Sequence, residues 1–109
     1  MATFLRTKVE NNIGTTPITV LNPIGTSKYT IIGCSLANTT DYDVIIDVTI
    51  LDASLNEGYY VKHLIITPYT SAKIVTNGEK LVLAENCKMN IVSDTDSSID
   101  AIISYAEIV

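Results

Sequence analysis

The sequence contains no tryptophan, one phenylalanine, one histidine, two cysteines and three prolines among its 109 residues. Basic residues are also scarce, since seven lysines and arginines stand against twelve acids, for a net charge of −5 at pH 7. This charge argues against binding to nucleic acid, because contact with a phosphate backbone ordinarily requires a basic patch. No segment approaches the ~20 continuous apolar residues of a transmembrane helix, and the first eight residues, MATFLRTK, carry two charges where a signal peptide needs an apolar run. We therefore expect a soluble protein that is made in the cytoplasm.

The few chemically reactive side chains do not form a catalytic or metal-binding pattern. Cys34 and Cys87 lack CxxC spacing, and we expect two free thiols, with Cys34 buried in the apolar run IIGCSLA and Cys87 in a turn. His63 shares a strand face with Val61 and Ile65 in YYVKHLIIT, which predicts a packed or rim residue rather than a catalytic base. The sequence offers no second histidine to activate a nucleophile.

The acidic segment DTDSS, residues 94–98, together with Asp100 has a spacing that loosely resembles a calcium-binding loop. It lacks the central glycine and the closing bidentate glutamate of such a loop, so a solvated turn is the favoured interpretation. We predict no catalytic residue, no cofactor and no metal site, and hence a protein that is not an enzyme.

The sequence is rich in residues that favour strands. Isoleucine, valine and threonine account for 39 of the 109 residues, and such β-branched side chains pack well on a pleated sheet. The longest period-two alternation is DYDVIIDVTILD, residues 41–52, which predicts a strand with one buried and one wet face. Its predicted inner face holds Val44, Ile46, Val48 and Ile50, and its outer face holds Asp43, Asp47 and Thr49. Ile45 and Leu51 interrupt the polar face, which indicates a second apolar contact there, such as a neighbouring subunit.

Turn residues divide the chain into short extended segments with no helical period between them. Gly33 predicts a bulge in its strand, Asn77-Gly78 predicts a hairpin turn, and the run Leu64–Ile66 predicts a strand end that is covered on both faces. The predicted strands are residues 3–10, 17–22, 28–38, 41–52, 59–67, 72–76, 80–84, 88–94 and 99–109. This pattern is typical of an all-β, antiparallel two-sheet sandwich with about seven core strands, of either jelly-roll or immunoglobulin-like topology.

The first 27 residues are predicted to lie at the periphery of the main core. Residues 1–27 form a predicted N-terminal arm with peripheral strands, and residues 28–109 form the sandwich domain. Asn11–Gly14 would disconnect the arm, because this segment reads as a break in the extended chain. The charge is +2 up to Lys28 and −7 beyond it, which either reflects chance among so few charges or indicates a basic arm that docks on an acidic neighbour. Phe4 and Leu5 have no obvious place in the seven-strand core, so residues 1–16 are predicted to become ordered against a neighbouring subunit without being needed for folding.

Tyrosine is the main aromatic residue, with six copies, and it is enriched at protein interfaces. Tyr59 and Tyr60 are predicted to point to opposite faces of one strand. A hydrophobic content of 47% in so small a domain further favours association with copies of itself or with a partner. The candidate interface residues are Phe4, Leu5, Arg6, Lys8, Ile45, Leu51, Tyr59, Tyr60 and Tyr69.

An ordered series of segments resembles a group of small virion structural proteins of tailed bacteriophages. The segments are IIGCSLANTT, DVIIDVTIL, GYYVKHLIITPYTSAKIV, GEKLVLAENCKMNIVSD and SSIDAIISYAEIV, which together span about residues 31–108. The group shares an ImGxSLAN strand, a gxKlvLxxgdxixV hairpin and a closing DxixSyxEI strand. The resemblance implies a passive β-sandwich that decorates the capsid or joins the neck and tail, has other virion proteins as partners, and is assembled in the host cytoplasm.

Two alternatives differ in class from this interpretation. The sandwich could be a receptor- or glycan-binding module of a fibre, with Tyr59, Tyr60 and the DTDSS loop as contact residues. An enzyme is the third alternative, and the missing catalytic constellation argues against it.

Overall fold

Nine strands and no helix make up the part of the chain that the computed structural model describes, which is residues 2–75 and 80–109. The strands are β1 (Thr3–Ile13), β2 (Ile18–Leu21), β3 (Lys28–Asn38), β4 (Val44–Leu51), β5 (Glu57–Ile66), β6 (Ser71–Val75), β7 (Leu81–Leu83), β8 (Lys88–Ser93) and β9 (Ile99–Ile108). Within these ranges the chain forms no helix that is long and apolar enough to cross a bilayer. The all-β prediction is confirmed.

Strand pairing is nested from the middle of the chain outward. β4 pairs with β5, β3 with both β6 and β7, β2 with β8, and β1 with β9, all antiparallel. The chain is thus a long double ribbon, and rolling this ribbon up adds the pairs β3·β9 and β4·β8. The result is sheet A, of order β1-β9-β3-β6 with β7 also on β3, and sheet B, of order β2-β8-β4-β5. This topology is a jelly roll, which decides between the two predicted sandwich types.

The core lies between the sheets. The alternation predicted for β4 is confirmed, since Val44, Ile46 and Val48 are fully buried, and Ile50 is packed against the same cluster. β8 and β9 contribute alternate residues in the same way, for example Met89, Ile91 and Ile103. Burial of each such side chain stabilises the fold by roughly 1.5–3 kcal/mol.

The first two strands belong to the sandwich. β1 pairs with β9 from Thr3 to Glu10 and, beyond a register shift, again at Ile13, so Asn11 and Asn12 form a bulge and the strand does not end at Glu10 as predicted. Ile13 is fully buried in the core. β2 likewise buries Val20 and Leu21. The structure therefore places parts of the predicted arm, residues 1–27, within the same core as residues 28–109.

The hairpin predicted between residues 72–76 and 80–84 is wrong, although Asn77-Gly78 itself lies outside the described residues. β6 pairs with Cys34–Ala37 and β7 pairs with Tyr29–Ile31, both antiparallel to β3. The chain therefore runs in the same direction along β3 before and after residues 76–79, and together β6 and β7 occupy the place of one strand of the jelly roll.

Bulges adjust the strands to the roll. Gly33 lies at a register shift in the β3·β9 pair, as predicted for this glycine. β5 has two shifts opposite β4, because Ile46 pairs with Leu64 while Val48 pairs with Val61 and Thr49 with Tyr59. His63 lies in the first of these shifts with a φ of 56° and is exposed. The predicted common face of Val61, His63 and Ile65 is therefore wrong.

A buried polar residue ties the strand ends together. The Asn38 side-chain amide donates to the carbonyls of Tyr42 (2.7 Å) and Ile66 (2.9 Å), and its oxygen accepts from the backbone N–H of Thr40 (2.8 Å). These bonds join the end of β3, the start of β4 and the end of β5. Because a buried amide without partners is costly, this network specifies how the three segments meet.

Candidate functional site

The β1 candidates separate onto two sides of sheet A. Register places Phe4, Arg6 and Lys8 opposite Glu107, Tyr105 and Ile103, on the inner side, while Leu5 lies opposite Ala106 on the outer side. All four side chains are exposed: Leu5 lies on the outer side, and sheet B does not cover Phe4, Arg6 and Lys8 on the inner side.

The charge of Arg6 is already partnered within the chain. Its Nε lies 2.7 Å from Oε1 of Glu107, and its guanidinium lies over the Phe4 ring at 5.2 Å. An exposed pair of this kind is screened by solvent and contributes little to stability. Among the basic β1 side chains, Lys8 is therefore the one left to interact with an acidic neighbour.

The outer face of sheet B brings three predicted residues together. Ile45 and Leu51 of β4 are half-buried there, and Tyr59 of β5 is exposed beside them, opposite Thr49. Ile65 lies opposite Ile45 and is 58% exposed, so the cover predicted for both faces of Leu64–Ile66 is not provided by this chain. Ile45 and Leu51 therefore share one face with Tyr59 and Ile65, and the apolar contact expected there stays a prediction.

A small pocket opens on the same face next to Tyr59. Its volume is about 180 Å³, and its walls are formed by Pro17, Asp47, Thr49, Glu57, Tyr59, Asn90, Ile91 and Val92. Lys62 stacks on the Tyr59 ring, with Nζ 4.8 Å from the ring centroid. An aromatic ring beside carboxylate, hydroxyl and amide groups can bind a small neutral polar ligand through hydrogen bonds and ring contact.

Tyr60 and Tyr69, the other two tyrosines among the predicted interface residues, differ in their surroundings. Tyr60 is half-buried, and its hydroxyl donates to the Ile74 carbonyl (3.2 Å), which links the edge strands β5 and β6 of the two sheets. Tyr69 is 72% exposed at the tip of the turn after β5, where its φ is 55°. Its side chain is therefore accessible to a partner protein, whereas the Tyr60 side chain joins the two sheets.

The acidic side chains of the DTDSS segment and Asp100 accept hydrogen bonds from other segments of the chain. Asp94 Oδ1 accepts from the Ile45 N–H (3.0 Å), and Asp96 Oδ1 accepts from the Thr15 hydroxyl (3.0 Å). Asp100 Oδ1 accepts from the Asn12 N–H (3.0 Å). In residues 2–75 and 80–109, no three histidine, cysteine or acidic side chains are grouped so as to hold a metal ion. The DTDSS segment is a hydrogen-bonded connection between β8 and β9.

The two cysteines are free thiols, as predicted. Cys34 is buried in sheet A, and this burial raises the pKa of its thiol to about 12. A neutral buried thiol is a poor nucleophile. Cys87 is half-buried and packs against the edge of the core.

The outer face of sheet A is a surface that the sequence interpretation did not identify. It exposes Leu5, Val9, Ile32, Val82 and Ile102. The sequence of β9, IDAIISYAEI, gave an indication of this surface. It places apolar residues on both faces of the strand, as is typical of strands that are covered on both sides. A depression of about 530 Å³ on this face is lined by residues that include Ile32, Gly33, Ile102 and Ser104.

Comparison with known proteins supports the fold assignment. No protein-family model matches the sequence. No curated protein matches it either. A chain in the structure of infectious bursal disease virus, Gt strain, is similar in three dimensions with a TM-score of 0.50 and 11% sequence identity. The match covers 97% of this chain but 32% of the viral chain, so this chain spans about a third of that protein.

Proposed function

We propose that the chain is a non-enzymatic structural protein of a virus particle, and specifically a capsid decoration or cement protein of a tailed bacteriophage. The observation that carries the proposal is the jelly-roll topology, shared over 97% of the chain with a chain of a virus structure. Jelly rolls serve in viral capsids but also in lectins and cupins, so the fold alone leaves several functions open.

Two further observations favour the particle role. The segments that resemble phage virion proteins coincide with core strands, since IIGCSLANTT contains most of β3 and SSIDAIISYAEIV contains β9. The outer face of sheet B also presents apolar side chains that a single copy leaves uncovered, of which Ile65 and Tyr59 are the most exposed. Burying such a patch against a capsid or neck-tail protein would stabilise a particle.

The experiment is a binding assay with phage particles that lack this protein. Purified chain should co-sediment with the particles and saturate at a fixed number of copies per particle. Ile65→Asp should weaken this binding, because it places a charge in the proposed contact, whereas Ser54→Asp in the exposed loop after β4 should leave it unchanged. Cryo-EM density for the roll at one particle position is the expected structural result, and failure to bind particles at any position would overturn the proposal.

The pocket next to Tyr59 favours a second candidate, a glycan-binding module on the same particle. Its hydroxyl, amide and carboxylate groups surround an aromatic ring, a combination that suits a neutral sugar. Saturable binding on a glycan array that is lost in Tyr59→Ala and kept in Tyr69→Ala would support this function. Absence of saturable binding would exclude it for the sugars on the array.

A further inference from the structure

Sheet A exposes large aliphatic side chains on its outer face. The register of β1 on β9 pairs Leu5 with Ala106 and Val9 with Ile102, on the face opposite the buried Ile103. Leu5 is 81% exposed, Val9 59% and Ile102 49%. β3 and β7 add Ile32 and Val82 to the same face.

The middle of this face carries small side chains. Its central row consists of Thr7, Ser104 and Gly33, which neighbour one another across β1, β9 and β3. The rows on either side add Ala106 and Ser35 between the larger aliphatic residues. Small side chains along the centre allow the backbone of another sheet to approach closely.

Charges on the described part of this face lie at its rim. They include Lys28 and Asp100 at opposite ends and Lys73 on the edge strand, and Lys28 is paired with Glu85 at 3.5 Å. An antiparallel sheet face that is meant for water ordinarily carries polar and charged residues along its strands, whereas the register of β1, β9 and β3 places no charged residue in the three central rows of this face. Sheet A therefore resembles a sheet that is covered on both faces.

We infer that this face binds a second copy of the chain, sheet A against sheet A, about a two-fold axis. This inference deepens the proposed function by naming the self-association surface of the particle protein. Four strands about 4.8 Å apart and five residue rows about 6.8 Å apart give a face of roughly 600 Å² per copy. Two such faces bury about 1,200 Å², which reaches the lower range of stable specific interfaces.

The charges favour a second copy as the occupant. Each chain carries −5, but the register of β1, β9 and β3 places no acidic residue in the three central rows of this face, so these strands of two copies can meet without direct repulsion. A two-fold axis across the strands at Ser104 places Leu5 over Val9 of the second copy. It also brings Lys28, which is paired with Glu85 of its own chain at 3.5 Å, to the end of the second copy that carries Asp100.

The test uses the isolated full chain. Sedimentation over a concentration series should give twice the monomer mass of 11.8 kDa, with dissociation on dilution. Ser104→Lys should raise the dissociation constant about 100-fold, because each copy would bury an unpaired charge. Thr49→Lys is the matched control, since Thr49 is also a half-buried mid-strand position but lies on the outer face of sheet B.

Cross-linking tests the placement of the axis. Packed sheets lie about 10 Å apart, too far for a disulfide, so a short bismaleimide is the probe. In a Cys87→Ser background, Ser104→Cys should give a covalent dimer and Thr49→Cys should not. A wild-type chain that stays monomeric at millimolar concentration, or a dimer broken by Thr49→Lys and not by Ser104→Lys, would overturn the inference. No particle enters these experiments, so their failure is distinguishable from failure of the proposed particle role.

Discussion

Asp47 and His63 are joined by two contacts to a single oxygen atom. The His63 backbone N–H donates to Asp47 Oδ1 at 2.6 Å, and the ring Nδ1 lies 2.8 Å from the same atom. The bulge in β5 removes His63 from the regular ladder, and the Asp47 carboxylate replaces the missing strand partner. Partial burial opposes ionisation of Asp47, but the hydrogen bonds and charge of His63, with Lys62 nearby, outweigh it and lower the pKa of Asp47.

This pairing predicts a pH-dependent contribution to stability. Because the pKa of Asp47 is lower in the folded than in the unfolded chain, the contribution is full above the unfolded value of about 3.9 and is lost as pH falls through the folded value. Asp47→Ala should cost about 1 kcal/mol at neutral pH and much less near pH 2. Urea unfolding at both pH values measures this difference, with the exposed Asp43→Ala as the control. Equal costs at the two pH values would refute the charge contribution.

The organising role of β4 predicts a sharp contrast between two neighbouring positions. Val48 is fully buried, whereas Thr49 faces outward, so Val48→Asp should cost several kcal/mol, a large part of the stability of such a domain. Thr49→Asp should cost less than about 1 kcal/mol. Thermal and urea unfolding midpoints of the two variants are the measurement, and similar midpoints would contradict the register of β4.

The buried amide of Asn38 should be irreplaceable by its nearest isostere. Asn38→Asp removes the donors to the Tyr42 and Ile66 carbonyls and sets a carboxylate against them. We expect a loss of about 3 kcal/mol or more at neutral pH, partly recovered at acidic pH where the carboxyl carries a proton. The exposed Asn22→Asp is the control for the charge itself. If the network were unimportant, denaturant curves at the two pH values would show the same small loss for Asn38→Asp as for this control.

The two thiols should react at very different rates. The buried Cys34, whose pKa is raised to about 12, should resist alkylation in the folded chain, while the half-buried Cys87 reacts first. Mass spectrometry should show one modification under native conditions and two after denaturation without reductant. A denatured chain that takes up no label and is lighter by two protons would instead contain a disulfide.

Local patterns in the sequence predicted the strands well. β3 has the predicted bounds, Lys28–Asn38, because a β-branched run there is closed by turn residues, and Gly33 marks its bulge correctly. The inward and outward residues of β4 follow from simple alternation. Such features depend on neighbours within a few positions, so they are readable from the sequence.

Long-range pairing was not readable in the same way. The Asn77-Gly78 signal predicted a local hairpin, yet β6 and β7 both pair with β3, which lies more than thirty positions away from them. The place of β1 in sheet A depends on its match to β9 at the other end of the chain. Turn preference is a local energy and is outweighed by the burial that the whole roll provides.

The candidate surfaces were predicted in part. Ile45, Leu51 and Tyr59 share one face because alternation places them there, and Tyr60 points to the opposite face, as predicted, whereas the bulges of β5 that redirect Val61 and His63 were not predicted. The outer face of sheet A depends on side-by-side register among β1, β9 and β3. The sequence pattern of one strand does not reveal such a face, although β9 has apolar residues on both of its faces.

The nested strand pairing also favours an order of folding in which each step has a low loop-closure entropy cost. Arg6 and Glu107 contact each other although they are 101 positions apart, and closing that loop in an unfolded chain is entropically costly. Once β4 and β5 form their local hairpin, β3 meets β6 and β7 across a loop that is already shortened, and each outer pair follows in the same way. Strand pairs can therefore form in order from the centre of the chain to its ends. Each new pair then closes only a short loop, although the paired residues are far apart in sequence.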